Sequence, residues 1–178
     1  PEGALFAHAL GYVGRISERE AAVLDPVNYA GTHNIGKVGI EKYYESWLHG
    51  KVGYEHVETN ARGQVLRVLE RTESIPGKNL VLHLDSKVQR AAMTALEGWR
   101  GAAVALELSS GGLVALVSTP AYDPNLFVDG ISSRDYLKLT KDGDSPLYNR
   151  AVLGQYPPAS TIKPIVGLAG LEYELIDE

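Results

Sequence analysis

Tyr156-Pro157-Pro158-Ala159-Ser160-Thr161-Ile162-Lys163-Pro164 is the stretch whose reading decides the fold. It sets a hydroxyl and an amine three residues apart at a predicted helix start. Residues i and i+3 of a helix share a face about 5–6 Å apart at Cβ, so the Lys163 amine is within reach of the Ser160 hydroxyl, a nucleophile beside a candidate base. Pro157 and Pro158 cannot continue a preceding helix and bias the chain before Ser160 to an extended form, so the helix is predicted to begin at Ala159 or Ser160. Its free N–H groups and positive dipole end would then lie beside the hydroxyl. Ile165 to Leu171 is apolar on every side, which predicts a buried helix holding the pair on a rigid core element.

Ser-x-x-Lys arises about once by chance in a chain of this length at average residue usage. Context gives it meaning: two prolines before, one directly after, an apolar helix following, and the known use of this spacing in acylating serine enzymes. With these neighbours the nonapeptide resembles the active-site segment of class B penicillin-binding proteins. Ala115-Leu116-Val117-Ser118-Thr119-Pro120-Ala121-Tyr122-Asp123-Pro124-Asn125-Leu126-Phe127-Val128-Asp129-Gly130 and Asn149-Arg150-Ala151 are similar to the elongation-specific D,D-transpeptidases of that family. Gly36-Lys37-Val38-Gly39-Ile40-Glu41-Lys42-Tyr43-Tyr44-Glu45 and Leu48-His49-Gly50 resemble the region before their catalytic domain. The resemblance runs over nearly the whole chain.

The resemblance implies an α+β protein with two parts. Residues 1–78 would form a pedestal-type, non-catalytic module with a hairpin. Residues 79–178 would form the first part of a penicillin-binding transpeptidase (serine β-lactamase-like) domain of antiparallel sheet and helices. It implies a serine acyl-enzyme mechanism on peptidoglycan stem peptides, inhibited by β-lactams, with Ser160 as nucleophile and Lys163 as general base. It also implies action in cell elongation, an inner-membrane anchor with a periplasmic catalytic domain, and a RodA-like glycan polymerase and an MreC-like scaffold as partners. The family commonly has glycine before the nucleophile; here Ala159 stands there, read as a small change. Only fifteen residues follow Lys163, too few for the family's later Ser-x-Asn and Lys-Thr-Gly motifs. A piece of the enzyme, inactive alone and without its anchor, is therefore expected. An ordinary lysine titrates at about 10.4, so a lysine base near pH 7 needs an environment worth roughly 4 kcal/mol, which burial and a neighbouring positive charge can supply. In the family, a second lysine and an oxyanion-hole donor come from the later motifs; losing one such donor costs about 10²–10³ in rate.

Composition sets the outer limits. The 178 residues are 44% hydrophobic and 22% charged, ordinary values for a globular chain. A net charge of −5, with Arg62, Arg67 and Arg71 interleaved with glutamates, argues against a nucleic-acid surface. With no cysteine, disulfides, thiolate nucleophiles and cysteine-based zinc sites are excluded. No run approaches 18 apolar residues, so no membrane span is expected within the chain. His8, His33, His49, His56 and His83 show no i, i+4 pairing, and no metal or cofactor is expected. Asp123, Asn125 and Asp129 read as a turn leaving a strand rather than a calcium loop. Gly36-x-x-Gly39 reads as a loop entering a helix, and Lys141-Asp142-Gly143 as a polar loop.

Taken in order, Ala4–Ile16 reads as extended, Ser17–Glu20 as a capping box opening a short helix, Asn28–Gly39 as loop, and Ile40–Leu48 as a helix stopped by Gly50. Tyr54–Thr59 and Gln64–Leu69 read as a hairpin whose second arm is half covered on each face. Pro76-Gly77 marks the module boundary. Leu80–Leu84 reads as a strand and Ser86–Gln89 as a second capping box. Val88, Ala91, Ala92, Ala95, Leu96 and Trp99 form the stripe that packs a helix on a sheet. Ala102–Leu108 and Leu113–Ser118 flank Ser109-Ser110-Gly111-Gly112 as a second hairpin of central strands. Ser133–Leu139 reads as a helix. A serine β-lactamase or β-lactam sensor shares Ser-x-x-Lys, and a non-catalytic interaction module is the remaining alternative. The 78 residues before the catalytic part and Tyr122-Asp123-Pro124-Asn125 favour the transpeptidase.

Overall fold

The computed structural model describes residues 3–177. A 3₁₀ turn (Gly3–Phe6) leads into α1 (Ala7–Leu10), β1 (Val13–Arg15), α2 (Glu18–Ala21), β2 (Asn34–Gly36), α3 (Gly39–Tyr43) and α4 (Glu45–Leu48). There follow β3 (Tyr54–Thr59), β4 (Val65–Thr72), α5 (Ser86–Ala95), β5 (Gly101–Leu106) and β6 (Leu113–Thr119). A 3₁₀ turn (Pro124–Phe127), α6 (Ser133–Lys141), α7 (Arg150–Leu153), a last 3₁₀ turn (Ala159–Ile162) and α8 (Lys163–Glu172) complete the chain. The strands pair as three antiparallel two-stranded sheets, β1–β2, β3–β4 and β5–β6. This is the α+β mixture of helices and antiparallel hairpins that was expected.

Local signals translate directly. Ser17 caps α2 with its hydroxyl accepting from the Glu20 N–H while the Glu20 carboxylate accepts from the Ser17 N–H, a complete capping box. Asn60–Gly63 turns β3 into β4, and the second hairpin falls where its glycines predicted. Ser132 caps α6 by accepting from the Asp135 N–H. The Asp123 carboxylate accepts from the Asn125 N–H at 3.0 Å, the turn read from that segment.

Non-local packing overrides several expectations. Ala4–Ile16 is not extended throughout. Leu5, Ala7 and Ala9 are buried as 3₁₀ turn and helix, and this segment packs on α5 and β6. Gly11 ends α1 at φ +82° and sits so close to Val38 that a Cβ would lie 2.0 Å from its carbonyl oxygen, bringing the end of α1 onto the start of α3. The loop read over 28–39 contains β2, whose three residues are specified by pairing with β1. The 40–48 helix is broken at Tyr44, where φ −103° and ψ 18° leave the helical region. Residues 80–84 form no strand. Val81 is 96% exposed, and the stretch leads into Asp85, whose N–H donates to Val114 O at 2.9 Å.

The second capping box is replaced by a cap one residue earlier. The Asp85 carboxylate accepts from the Lys87 and Val88 N–H groups. Gln89 is thereby released into the interior, fully buried. Its amide donates to Leu5 O at 2.8 Å and Leu116 O at 2.7 Å and accepts from Leu116 N–H at 2.8 Å, so the polar group is satisfied on both ends. The face of α5 against β6 therefore runs through Gln89, Ala92, Met93 and Leu96, and Val88, Ala91, Ala95 and Trp99 of the expected stripe lie exposed. β4 is exposed along its full length rather than half covered. β5 and β6 are the two strands of their sheet rather than central strands among the described residues.

The core gathers around Ala7, Tyr122 and Phe127, with Tyr12, Ile131, Leu139 and Leu147 against it. Tyr12 stacks on Phe127 at 4.1 Å and meets Tyr122 edge-on at 6.3 Å. Burial pushes the Tyr122 hydroxyl up to about 12. No described helix is long and apolar enough to cross a membrane.

Candidate active site

The path to Ser160 begins on β6. The hydroxyl of buried Ser118 donates to Tyr148 O at 3.2 Å and accepts from the Arg150 N–H at 2.9 Å, stitching the entry of α7 to the sheet. Asn149 caps α7, its side-chain oxygen accepting from the Ala151 N–H at 3.2 Å, while its amide donates to His8 O at 3.0 Å. The Arg150 guanidinium donates to Asp144 O and Ser145 O and lies 5.8 Å from the Tyr148 ring centre. The Tyr148 hydroxyl donates to Leu153 O at 2.5 Å. The chain thus enters the proline pair from a braced segment.

After Pro158 the chain forms the 3₁₀ turn Ala159–Ile162. The Thr161 hydroxyl and N–H both donate to Pro158 O. The Lys163 N–H donates to Ser160 O, and α8 continues with Pro164 in its first turn, where no intrahelical donor is lost. In a 3₁₀ turn side chains at i and i+3 eclipse, so Ser160 and Lys163 project from the same side of the backbone. Among the described residues no hydrogen bond joins the two side chains, and both are exposed.

Two expectations are corrected here. Ala159 is more than a small change, because it adopts φ +48°, in the left-handed region where a Cβ is strained and glycine is not. α8 is not buried: Ile165, Val166 and Leu168 are 62%, 61% and 67% exposed, because its described contacts are with the preceding turn. A cavity of about 850 Å³ opens elsewhere, in the seam lined by Tyr12, Tyr43, Tyr44, His83 and Phe127, and Ser160 and Lys163 do not border it.

Among the histidines, His8 meets Tyr122 edge-on at 5.3 Å, and burial lowers its pKa despite the opposing pull of the Pro120 and Pro146 carbonyls. His49 stacks on Tyr29 and bonds to the Thr32 hydroxyl at 2.7 Å, so its surroundings are structural. Sequence reading took Gln89 for part of a cap rather than a buried amide, and did not find the hydrogen-bonding roles of Ser118 and Asn149. An Asn directly before a four-residue helix is a cap signal that was available for Asn149. Nothing local marks the long-range bonds of the other two.

Residues 1–82 match the model of the penicillin-binding protein dimerisation domain, and residues 101–178 that of the penicillin-binding protein transpeptidase domain. The chain is 51% identical over 177 residues to the peptidoglycan D,D-transpeptidase MrdA of Acinetobacter baumannii, a match covering 99% of this chain and 26% of that protein. Its fold superposes on Pseudomonas aeruginosa PBP2, solved in complex with WCK 5153, with a TM-score of 0.87 at 53% identity, covering 98% of this chain and 35% of that one. The PBP2 of Helicobacter pylori, solved in complex with MreC, gives a TM-score of 0.91 at 39% identity, covering 100% of this chain and 33% of that one. The chain spans about a quarter of the length of the A. baumannii relative. With a dimerisation-domain match running to residue 82 and a transpeptidase-domain match from residue 101, the chain belongs to the penicillin-binding proteins.

Proposed function

We propose that the whole protein is a peptidoglycan D,D-transpeptidase that cross-links stem peptides through a serine acyl-enzyme, acts in cell elongation and binds β-lactams. The observation carrying this reading is that a Ser-x-x-Lys pair lies on one exposed turn inside the region matched by the transpeptidase domain. In this mechanism unprotonated Lys163 takes the Ser160 hydroxyl proton as Oγ attacks the carbonyl between the two terminal D-alanines. The tetrahedral intermediate collapses, the C–N bond breaks, and the departing D-alanine amine takes that proton. An amine of a neighbouring stem attacks the ester, its C–N bond forms and the Ser160 oxygen leaves with a proton. A β-lactam enters the first half, its ring amide replacing the peptide bond.

The modules divide near Gly77 in this reading, with residues 79–178 forming the first part of the transpeptidase domain. Support for two modules comes from the dimerisation-domain and transpeptidase-domain matches, the first of which runs past Gly77 to residue 82 while the second begins at residue 101. An MreC-like scaffold is the proposed partner, on the ground that the H. pylori relative was solved with MreC. A RodA-like glycan polymerase and an inner-membrane, periplasm-facing location follow from the same elongation role. The 178-residue chain by itself is expected to have little or no activity, because its α8 is uncovered and the cavity of about 850 Å³ is not bordered by Ser160.

Stem-peptide cross-linking by the whole protein tests the activity. Ser160→Ala is expected to abolish the cross-linked product, as removal of a covalent nucleophile does. A variant that cross-links at the parent rate overturns the assignment.

A further inference from the structure

The turn bearing Ser160 is reached by a path with few soft dihedrals. Between α7 and the turn lie Gly154, Gln155, Tyr156, Pro157 and Pro158. Each proline fixes its own φ and restricts the residue before it, which covers Tyr156 and Pro157 as well. Gly154 is closed in from both sides: a Cβ there would lie 2.4 Å from Arg150 O and 2.5 Å from the Tyr156 ring. The Tyr148 hydroxyl on Leu153 O closes the same loop from within. The path from α7 to Ser160 is therefore short, with its freedom concentrated at Gly154 and Gln155.

What places α7 is a small set of side chain to backbone bonds. On the sheet side Ser118 holds Tyr148 O and Arg150 N–H. On the other side Asn149 spans two elements, its oxygen capping α7 at Ala151 and its amide donating to His8 O in α1, 141 residues away in sequence. α1 is itself held, with the Tyr122 hydroxyl at 3.5 Å from Ala7 O, and Gln89 donates to Leu5 O at 2.8 Å in the 3₁₀ turn that leads into it. His8 falls in the dimerisation-domain match and Asn149 in the transpeptidase-domain match, so this single amide ties the two regions together at the root of the Ser160 path.

We propose that Asn149 is a positioning residue for the nucleophile, registering α7 and the Ser160 turn against α1. This rests on reading Ser160 as the acylated residue. Its donor, rather than its capping oxygen, does the registering. Aspartate caps a helix as well as asparagine does, so Asn149→Asp keeps the acceptor for Ala151 N–H and places a carboxylate oxygen against the His8 carbonyl. Asn149→Ser also keeps a cap, with a side chain too short to reach His8.

The test is the saturating acylation rate of the whole protein with a fluorescent penicillin, separated from the half-saturating concentration. Misplacing a reacting group by about 1 Å can cost 10²-fold in rate, so both variants are expected to acylate about 10- to 100-fold more slowly with half-saturation little changed. Ser132→Ala, which removes the cap of α6 away from this path, is expected to keep the parent rate. Parent-like acylation of either folded Asn149 variant overturns the inference, as does an equal loss in Ser132→Ala. Parent protein labelled elsewhere than Ser160 defeats the nucleophile assignment and this inference together. Parent label on Ser160 with parent-like Asn149 variants defeats this inference alone.

Discussion

Ala159 holds the residue before the candidate nucleophile at φ +48°, a conformation that costs an L-residue about 1–2 kcal/mol and glycine nothing. Ala159→Gly relieves that strain and gives back part of it through the greater freedom of glycine in the unfolded chain. The net expectation is a stabilisation of about 0.5–1 kcal/mol, read from the midpoint of urea unfolding at unchanged slope; destabilisation would mean that the turn does not need the left-handed conformation. The departure from glycine at 159 was visible in the sequence, but its cost was not, because backbone sign is set by the turn that Pro158 and Thr161 build. Gln89 shows the opposite failure. Ser86-x-x-Gln89 fits the grammar of a cap, and only the neighbouring Asp85 taking that task frees the glutamine amide for three buried bonds to Leu5 and Leu116.

Elements stabilised by neighbours in sequence were legible. The capping box of α2 and the β3–β4 and β5–β6 hairpins formed where their residues placed them, because each signal lies within a few positions of its partner. β1 lies at the end of the segment read as extended, whereas β2 was read as loop because its three residues carry no readable period and are specified by pairing with β1, about twenty positions away. α2 is also tied outward through the Glu20 carboxylate, which accepts from the Lys37 amine at 2.5 Å. That bond, then the Ser17 hydroxyl and N–H, hold Glu20 down to about 2 from an ordinary 4.5. A depressed carboxyl contributes stability that is present above its unfolded value and is lost as pH falls through the folded one, here from about 4.5 toward about 2. The pair is partly exposed, so its share is within about 1 kcal/mol. Thermal melts of Lys37→Met between pH 2 and 5 are expected to show a shallower acid loss than the parent; an unchanged slope would remove Lys37 from the account.

At the scale of the molecule, the sequence revealed the family through linear segments, whereas the structure reveals how α1 of the dimerisation-domain match packs into the transpeptidase part. That packing was illegible because Leu5, Ala7 and His8 offer ordinary residues whose backbone carbonyls, not side chains, are what Gln89, Tyr122 and Asn149 bind. The exposed apolar face of α8 was equally hidden, since an all-round apolar helix reads as buried whether or not the described residues cover it. The central claim is that Ser160 is the residue acylated in the whole protein. Peptide mapping after reaction with a fluorescent penicillin tests it most directly: the account predicts label on the peptide carrying Ser160 and its loss in Ser160→Ala, and label retained on any other residue in that variant would contradict it.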